Sequence, residues 1–308
     1  MGWLSGGIFL GWALGANDAA NVFGTAVSTH VVSFRRAAAI ICIFVILGAV
    51  IDGVPGMRTL GGLAEYNART AFIASFSAGV TVTMMTIFRL PVSTSQAVVG
   101  AIIGIGMTSG QANFSGLNKI IVCWIGTPLG AMVAAIVIYM LLSVPYNRIS
   151  HNIALESSVL YIGFLVSGAY GAYALGANNV ANVVGVYVGS GLLNPFTAAV
   201  VGAVSICAGV ITFSKQVMFT VGERLVPLEA FTALVAVLAQ AVTVHFYAIV
   251  GVPVSTSQAM VGAVLGVGII KGVRSINIRI LLNIIFGWVL TPCVAGVIAF
   301  LLYLIFHF

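Results

Sequence analysis

Two short polar motifs, each present twice, contain most of the side chains in this chain that could do chemistry. The first reads PVSTSQAVVGA from Pro91 and PVSTSQAMVGA from Pro253, so ten of its eleven letters recur 162 positions later. The second reads GANDAAN from Gly15 and GANNVAN from Gly176, which lie 161 positions apart. Hydroxyls, amides and a carboxylate are therefore concentrated in four segments of an otherwise apolar chain.

The PVSTSQ motif has the features of a helix start that binds an anion. Proline suits the first turn of a helix, where its missing N–H is not needed, and a nearby serine or threonine can cap the free amides. The N–H groups of a first turn attract negative charge. Two such starts that converge can surround a tetrahedral oxyanion; alternatively, the hydroxyls only join neighbouring helices. The candidate anion ligands are Ser93, Thr94, Ser95, Gln96, Ser255, Thr256, Ser257 and Gln258.

The GAN motif places a carboxylate inside an apolar stretch. Asp18 is one of six acidic residues in the chain, and an unpaired carboxylate at the centre of a bilayer costs about 2.5 to 3.5 kcal/mol. Asp18 and Asn21 share one face of a helix because they are three positions apart. Their oxygens suit a hard cation such as sodium, or a proton, unless these side chains only cross-link helices. The candidate cation ligands are Asn17, Asp18, Asn21, Asn178, Asn179 and Asn182.

Two further residues are weaker candidates. Arg89 lies two positions before Pro91, where the second copy has Gly251. Its guanidinium can pair with a bound anion, or it can reach the membrane surface or an acidic side chain instead. His245 lies in the apolar run TVHFYAIV, where a hydrogen-bonded structural histidine is favoured over a proton relay.

The composition is that of a membrane protein. Of the 308 residues, 61% are hydrophobic and 6% are charged, whereas soluble domains contain about 25% charged residues. Apolar runs such as 70–88 and 120–144 are long enough to span a bilayer. The net charge of +6 comes from basic residues scattered between these runs, which favours a role in membrane orientation over nucleic-acid binding. The four cysteines have no ligand spacing, so neither a disulfide nor a zinc site is expected.

The repeated motifs divide the chain into two related halves, residues 1–150 and 151–308. A third landmark, WIGTP and later WVLTP, recurs 164 positions apart and in the same order, so the chain contains an internal duplication. Equivalent loops differ in their lysine and arginine content, which favours opposite orientations of the halves in the membrane. We expect an all-α polytopic membrane protein built from two inverted repeats, with both termini external.

Each half is expected to contain interrupted helices that meet near the middle of the membrane. In this interpretation the first span breaks at the GAN motif, and a two-armed, re-entrant element bends at the PVSTSQ motif. Broken helices of inverted repeats bring their ends together at one midplane site in transporters. The sequence therefore predicts a single site built from all four motifs.

With both motif pairs in view, the sequence resembles the inorganic phosphate transporter (PiT) family. The motifs GANDAAN, GANNVAN and the two copies of PVSTSQA match its duplicated signature, and the resemblance covers essentially the whole chain. It implies a secondary carrier that imports inorganic phosphate by alternating access, driven by sodium or protons, with no other cofactor. It also implies a homodimer in the cell membrane. The resemblance assigns phosphate binding to the two PVSTSQ motifs and cation binding to Asp18, Asn21, Asn179 and Asn182.

Asn179 departs from the family pattern, because many members have aspartate in both GAN signatures. The number of coupling cations, and the choice between sodium and proton, therefore stay open. A sulfate-transporting branch of the family keeps sulfate as an alternative substrate, and a passive anion channel is the alternative of another class. An enzyme is not expected, because neither serine motif contains a histidine or lysine.

Overall fold

The computed structural model describes residues 2–88, 92–109, 114–224, 229–272 and 278–307. These residues form helices and connecting loops, with no strand among them. Apolar runs fold as helices in a membrane because a helix satisfies its own backbone hydrogen bonds. In chain order the helices are α1 Ser5–Ser28, α2 Phe34–Asp52, α3 Val54–Gly61, α4 Ala68–Ile87, α5 Thr94–Ser109, α6 Phe114–Ile149, α7 Ile153–Gly189, α8 Pro195–Thr212, α9 Ser214–Arg224, α10 Ala230–Val250, α11 Thr256–Lys271 and α12 Ile278–His307.

Within the described ranges, seven helices are long and apolar enough to cross a membrane, namely α2, α4, α6, α7, α8, α10 and α12. The helices α5 and α11 are apolar but only 16 residues long each. A span needs about 20 residues, so these two helices are too short to cross a bilayer alone. The prediction of an all-α polytopic membrane protein is confirmed.

The helix order of the first half repeats in the second, and the packing follows the same repeat. The helix α2 packs on α7, and its equivalent α8 packs on α1. In the same way, α3 packs on α7, and its equivalent α9 packs on α1. Likewise α5 packs on α12, and α11 packs on α6. These reciprocal contacts relate the halves by a pseudo-twofold axis. Each half therefore completes the packing of the other, and the two halves do not form separate compact bodies.

The two-armed elements are present where the PVSTSQ motifs predict them. In the second half α10 ends at Val250, Gly251 adopts a left-handed conformation with a φ of 77°, and α11 begins at Thr256. In the first half α4 ends at Ile87 and α5 begins at Thr94. A long apolar helix followed by a short one therefore occurs in both halves, with the motif between them.

The expected break at the GAN motif is wrong. The helix α1 continues through Gly15, and α7 continues through Gly176. These glycines mark close contacts between helices: an added Cβ at Gly15 would lie 1.9 Å from the carbonyl oxygen of Ile206, and one at Gly176 would lie 2.2 Å from that of Val45. The motifs contain no proline to interrupt the helix. Their glycines therefore allow α1 to approach α8 and α7 to approach α2.

A second glycine contact explains why the TP landmark recurs. An added Cβ at Gly100 of α5 would lie 2.3 Å from the carbonyl oxygen of Pro292 in α12, and one at Gly262 of α11 would lie 2.0 Å from that of Pro128 in α6. Both prolines belong to the repeated TP pair of the third landmark. The landmark of one half and the glycine after PVSTSQA of the other therefore form two equivalent interfaces between the halves. These interfaces fix the short helices that begin at the polar motifs.

Candidate functional site

The PVSTSQ motifs begin α5 and α11, and a serine caps each of these helices. Ser255 Oγ accepts a hydrogen bond of 3.2 Å from the backbone N–H of Gln258, and Ser93 Oγ accepts one of 3.3 Å from that of Gln96. These contacts are typical of serine at the position before a helix. Other first-turn N–H groups have no partner within the helix. Together with the helix dipole, they make both starts favourable positions for an anion.

The two GAN motifs contact each other. Asn179 Nδ2 in α7 donates a hydrogen bond of 2.9 Å to Asp18 Oδ2 in α1. Both side chains are buried, and the two residues occupy the same position in their motifs. Because equivalent positions meet here, the pseudo-twofold axis passes beside this hydrogen bond.

Each GAN motif also contacts the PVSTSQ motif of the opposite half. Asn21 Nδ2 donates to Ser257 Oγ over 3.1 Å, and Asn182 Nδ2 donates to Ser95 Oγ over 2.9 Å. These two hydrogen bonds are equivalent under the repeat, since the residues occupy matched positions of the motifs. The structure therefore brings all four motifs into one polar cluster.

The polar cluster is asymmetric in charge. Thr256 Oγ1 donates a hydrogen bond of 3.0 Å to Asp18 Oδ2. Its counterpart Thr94 is also buried, but the Thr94 hydroxyl has no hydrogen-bond partner in the part of the chain that the structure describes. The amide of Asn179 stands where a second carboxylate would be, and its oxygen accepts two amide donors of α7 at 2.6 and 3.2 Å. The carboxylate of the cluster therefore comes from α1 and is stabilised by donors from the second half.

Several buried oxygen atoms of the polar cluster have no hydrogen-bond partner among the described residues. Buried polar groups in proteins are nearly always paired, so a group of unpaired oxygens indicates a position for a ligand or water. Carboxylate and amide oxygens accept but do not donate, and they are ligands that hard cations prefer. The unpaired atoms are Asp18 Oδ1, Gln96 Oε1, Asn182 Oδ1, Gln258 Oε1 and the hydroxyl oxygen of Thr94.

Asn17 and Asn178, which were also predicted as cation ligands, connect their helices to neighbouring segments. Asn178 Nδ2 donates to the carbonyl of Val254 over 2.8 Å, and the Val254 N–H donates to Asn178 Oδ1 over 3.0 Å. Asn17 Nδ2 donates to Thr86 Oγ1 over 2.9 Å. Asn178 thus fixes the residue that precedes the Ser255 cap. Cation binding by these two asparagines stays a prediction.

Two residues of this region carry no motif that predicts their role. Val254 takes part through its peptide group alone, and Ser95 Oγ also donates to its carbonyl over 2.8 Å. Thr86 lies near the end of α4, and its hydroxyl was the only signal in the sequence. Arg89 lies outside the described residues, so its contact with the anion stays a prediction.

Comparison with known proteins gives the family. A model of the phosphate transporter family matches residues 14–299 of the 308-residue chain. The chain belongs to the phosphate transporter family. The resemblance seen in the motifs is confirmed. As a member of a transporter family, the protein is an integral membrane transporter and not an enzyme, as predicted.

Individual members of the phosphate transporter family match along almost their full length. The chain is 30% identical to a candidate phosphate permease of Methanocaldococcus jannaschii, over 96% of this chain and 93% of that relative. It is 25% identical to a sulfate permease of Bacillus subtilis, over 97% of this chain and 86% of that relative. A solved structure described as the sodium-dependent phosphate transporter has the same fold, with a TM-score of 0.88 at 23% identity over 100% of this chain and 99% of that one.

Proposed function

We propose that this protein imports inorganic phosphate together with sodium, by alternating access between its two halves. The observation that carries the proposal is the meeting of both PVSTSQ helix starts with the carboxylate of Asp18 in one polar cluster. The helix starts offer N–H groups to an anion, and the carboxylate and amide oxygens offer ligands to a cation. Membership of the phosphate transporter family supports phosphate as the anion.

The unpaired oxygens of the cluster favour sodium over a proton. A single proton on Asp18 can pair only one carboxylate oxygen. The amide oxygen of Asn182, which belongs to the same polar cluster, would still lack a partner. A sodium ion can accept several oxygen ligands at once, so it satisfies the cluster better. Its positive charge also offsets the negative charges of the anion and of Asp18.

Two other unpaired oxygens, those of the glutamines in the helix starts, favour phosphate over sulfate. Sulfate is the second candidate because of the similarity to a sulfate permease. Phosphate is protonated on at least one oxygen near neutral pH and can donate a hydrogen bond. Sulfate is fully deprotonated and can only accept. The amide oxygens of Gln96 and Gln258, at equivalent positions of the two helix starts, are unpaired acceptors. They can pair a phosphate hydroxyl, whereas sulfate would leave them without a donor.

The hydrogen bonds between the halves support an alternating-access mechanism. Asn21 with Ser257, and Asn182 with Ser95, connect α1 to α11 and α7 to α5. Rocking of one half of an inverted repeat against the other opens a central site to one side at a time. Bound phosphate and sodium stabilise the contact between the halves, so the loaded site can reorient. A channel lacks this coupling, because its path is open to both sides at once.

Uptake into proteoliposomes tests this proposal. Purified protein is reconstituted, and entry of radiolabelled phosphate is measured with the sodium and proton gradients varied independently and with sulfate as competitor. We expect accumulation of phosphate above the external concentration only with an inward sodium gradient, and weak competition by sulfate. Flux that only dissipates the phosphate gradient would indicate a channel, and accumulation driven by protons alone would exclude sodium as the coupling ion.

The proposal includes the cellular location, the membrane orientation and the oligomeric state of the protein. We place it in the cell membrane as a homodimer with both termini outside. The distribution of lysine and arginine between the loops supports this orientation, because eight of the eleven basic residues other than Arg89 are expected inside and three outside. Labelling of single cysteines near each terminus in intact cells tests it.

A further inference from the structure

Four titratable side chains outside the polar cluster form a hydrogen-bonded group between the two halves. Asp52 lies at the end of α2, Tyr170 and Tyr173 lie in α7, and His245 lies in α10. Tyr173 Oη donates to Asp52 Oδ2, and His245 Nε2 lies 3.2 Å from the same oxygen. Tyr170 Oη lies 2.9 Å from His245 Nδ1. The side chain of His245 is 20% exposed and that of Asp52 is 33% exposed, so the group is partly buried.

The hydrogen bonds of this group can be satisfied with His245 either neutral or protonated. In the neutral form, the Nε2–H donates to Asp52 and Nδ1 accepts from the Tyr170 hydroxyl. In the protonated form both ring nitrogens donate, and the Tyr170 oxygen becomes an acceptor. A proton can therefore bind without leaving a buried polar atom unpaired. Among the described residues of the other helices packed on α10, which are α1, α3, α6 and α11, none forms a hydrogen bond or ion pair with the His245 side chain.

The first half has no titratable group at the equivalent place. The positions that match Tyr170, Tyr173 and His245 hold Phe9, Trp12 and Thr83. Trp12 donates its indole N–H to Thr212 Oγ1 at the end of α8 over 2.9 Å, so its polar contact is neutral. The positions that match Tyr170, Tyr173 and His245 therefore cannot form a second proton site of this kind.

The titratable group lies beside the loop that leads into α11. Gly251, the first residue after α10, is so close to Pro55 of α3 that an added Cβ would lie 3.1 Å from the Pro55 Cβ. Further along this loop, Val254 is held by Asn178 of α7. Asn178 follows Tyr173 by five residues, which is about 7.5 Å along the helix. The loop and the titratable group thus share α7, α10 and the junction of α2 with α3.

We propose that Asp52, Tyr170, Tyr173 and His245 form a proton-binding site that holds α10 to α2 and thereby sets the pH dependence of transport. This inference rests on the proposed transport function, but it concerns a site separate from Asp18. Histidine is the side chain that ordinarily changes charge between about pH 5 and 8. Protonated His245 forms an ion pair with Asp52 and holds α10 of the second half to α2 of the first. Loss of the proton weakens this connection, so the halves rock more freely.

Comparison of variants over a range of pH tests the site in the proteoliposome assay. His245→Gln keeps a neutral donor, Asp52→Asn removes the anion, and His151→Gln removes an exposed histidine elsewhere as a matched control. We expect turnover of His245→Gln to equal that of the unchanged protein near pH 8 and to exceed it about fivefold near pH 5.5, as for a coupling of about 1 kcal/mol. Each rate is divided by that of the unchanged protein at the same pH, which cancels the change in phosphate ionisation.

The proposal fails if this ratio is the same at all pH values for both His245→Gln and Asp52→Asn, or if His151→Gln changes it equally. Hydrogen exchange of residues 246–255 provides a readout that does not need transport. After correction for the intrinsic effect of pH, exchange should be slower at low pH in the unchanged protein, and it should lack this dependence in His245→Gln. A protein that does not transport phosphate but shows this exchange pattern would contradict the proposed function and support the proton site. If His245→Gln does not fold, Asp52→Asn and Tyr173→Phe serve the same comparison.

Discussion

Asp18 of α1 accepts a hydrogen bond from Asn179 of α7, and these two residues occupy the same position in the two repeats. A fold with pseudo-twofold symmetry therefore has a carboxylate on one side of its axis and an amide on the other. The symmetric part of the cluster consists of hydroxyls, amides and helix starts. The asymmetric part is one negative charge, and this difference determines where the cation is expected to bind.

Replacement of Asp18 by asparagine should remove the coupling cation. The variant Asp18→Asn keeps the shape and the hydrogen bonding of the side chain but loses its charge. Removal of one partner of a buried charged pair costs about 2 to 5 kcal/mol, which corresponds to a loss of sodium-dependent uptake of about 30-fold or more. Proteoliposome uptake measures the loss, and an unchanged melting temperature shows that the variant folds. Sodium dependence equal to that of the unchanged protein would exclude Asp18 from the cation site.

Transfer of the carboxylate to the other repeat should restore part of this function. In the double variant Asp18→Asn with Asn179→Asp, the charge moves across the pseudo-twofold axis. The hydroxyl of Thr94, which has no hydrogen-bond partner among the described residues, can then donate to this carboxylate as Thr256 donates to Asp18. We expect uptake of the double variant to exceed that of Asp18→Asn at least about fivefold. Equal uptake by the two variants would show that the repeats differ in more than the position of the charge.

Ser95 should contribute more to phosphate binding than its counterpart Ser257. Ser95 accepts from Asn182 and donates to the carbonyl of Val254, whereas Ser257 accepts from Asn21. Ser95→Ala therefore disrupts two buried hydrogen bonds and should raise the KM for phosphate about tenfold, compared with about threefold for Ser257→Ala. Initial rates over a range of phosphate concentrations give both values. The reverse order would mean that the contact with Val254 has no effect on binding.

Asn17 and Asn178, which occupy equivalent positions of the two GAN motifs, should differ in how much they stabilise the fold. Asn178→Ala leaves the N–H and the carbonyl of Val254 with fewer partners, and each unpaired buried group costs about 1 to 3 kcal/mol. Asn17→Ala removes one hydrogen bond to Thr86, whose hydroxyl still donates to the carbonyl of Val82. Thermal unfolding in detergent should therefore show a lower melting temperature for Asn178→Ala than for Asn17→Ala. Equal melting temperatures would mean that the Val254 contact adds no stability.

Close packing of α11 on α6 predicts strong destabilisation by a single methyl group. In Gly262→Ala the new Cβ would lie 2.0 Å from the carbonyl oxygen of Pro128, so the helices must separate at a cost of about 1 to 3 kcal/mol. Gly130→Ala is the matched control on α6, because its Cβ would meet only Thr243 at 3.7 Å. The melting temperature should fall for the first variant and stay the same for the second. Equal stability of the two variants would contradict this packing.

Local features of the site could be predicted from sequence, and contacts between distant segments could not. The serine caps at Ser93 and Ser255 follow from a proline and hydroxyls before an apolar run, because capping depends on neighbours in the chain. The repeat pattern predicts a break at each GAN motif, whereas the glycines of these motifs mark contact with Ile206 and Val45. A glycine can either interrupt a helix or allow close contact with a neighbouring helix, and only the position of that neighbour distinguishes the two roles.

The pairing of each GAN motif with the PVSTSQ motif of the opposite half depends on how the halves interleave. Asn21 and Ser257 are 236 positions apart, and nothing in either motif specifies its partner. The duplication indicates that the motifs are related, but it is equally compatible with contacts inside each half. The role of the Val254 carbonyl cannot be predicted from the sequence, because every residue has a backbone carbonyl.

The interleaving of the halves has a consequence for how the protein is made. The helix α5 contacts α12 through Gly100 and Pro292, and these two residues are 192 positions apart. At the usual rate of synthesis the ribosome needs roughly 10 to 40 s to reach the second residue after the first. During that interval the short α5, with its hydroxyl-rich start, lacks the helix that covers it in the finished protein. We therefore expect the insertion machinery or a chaperone to shelter α5 until α12 has been made.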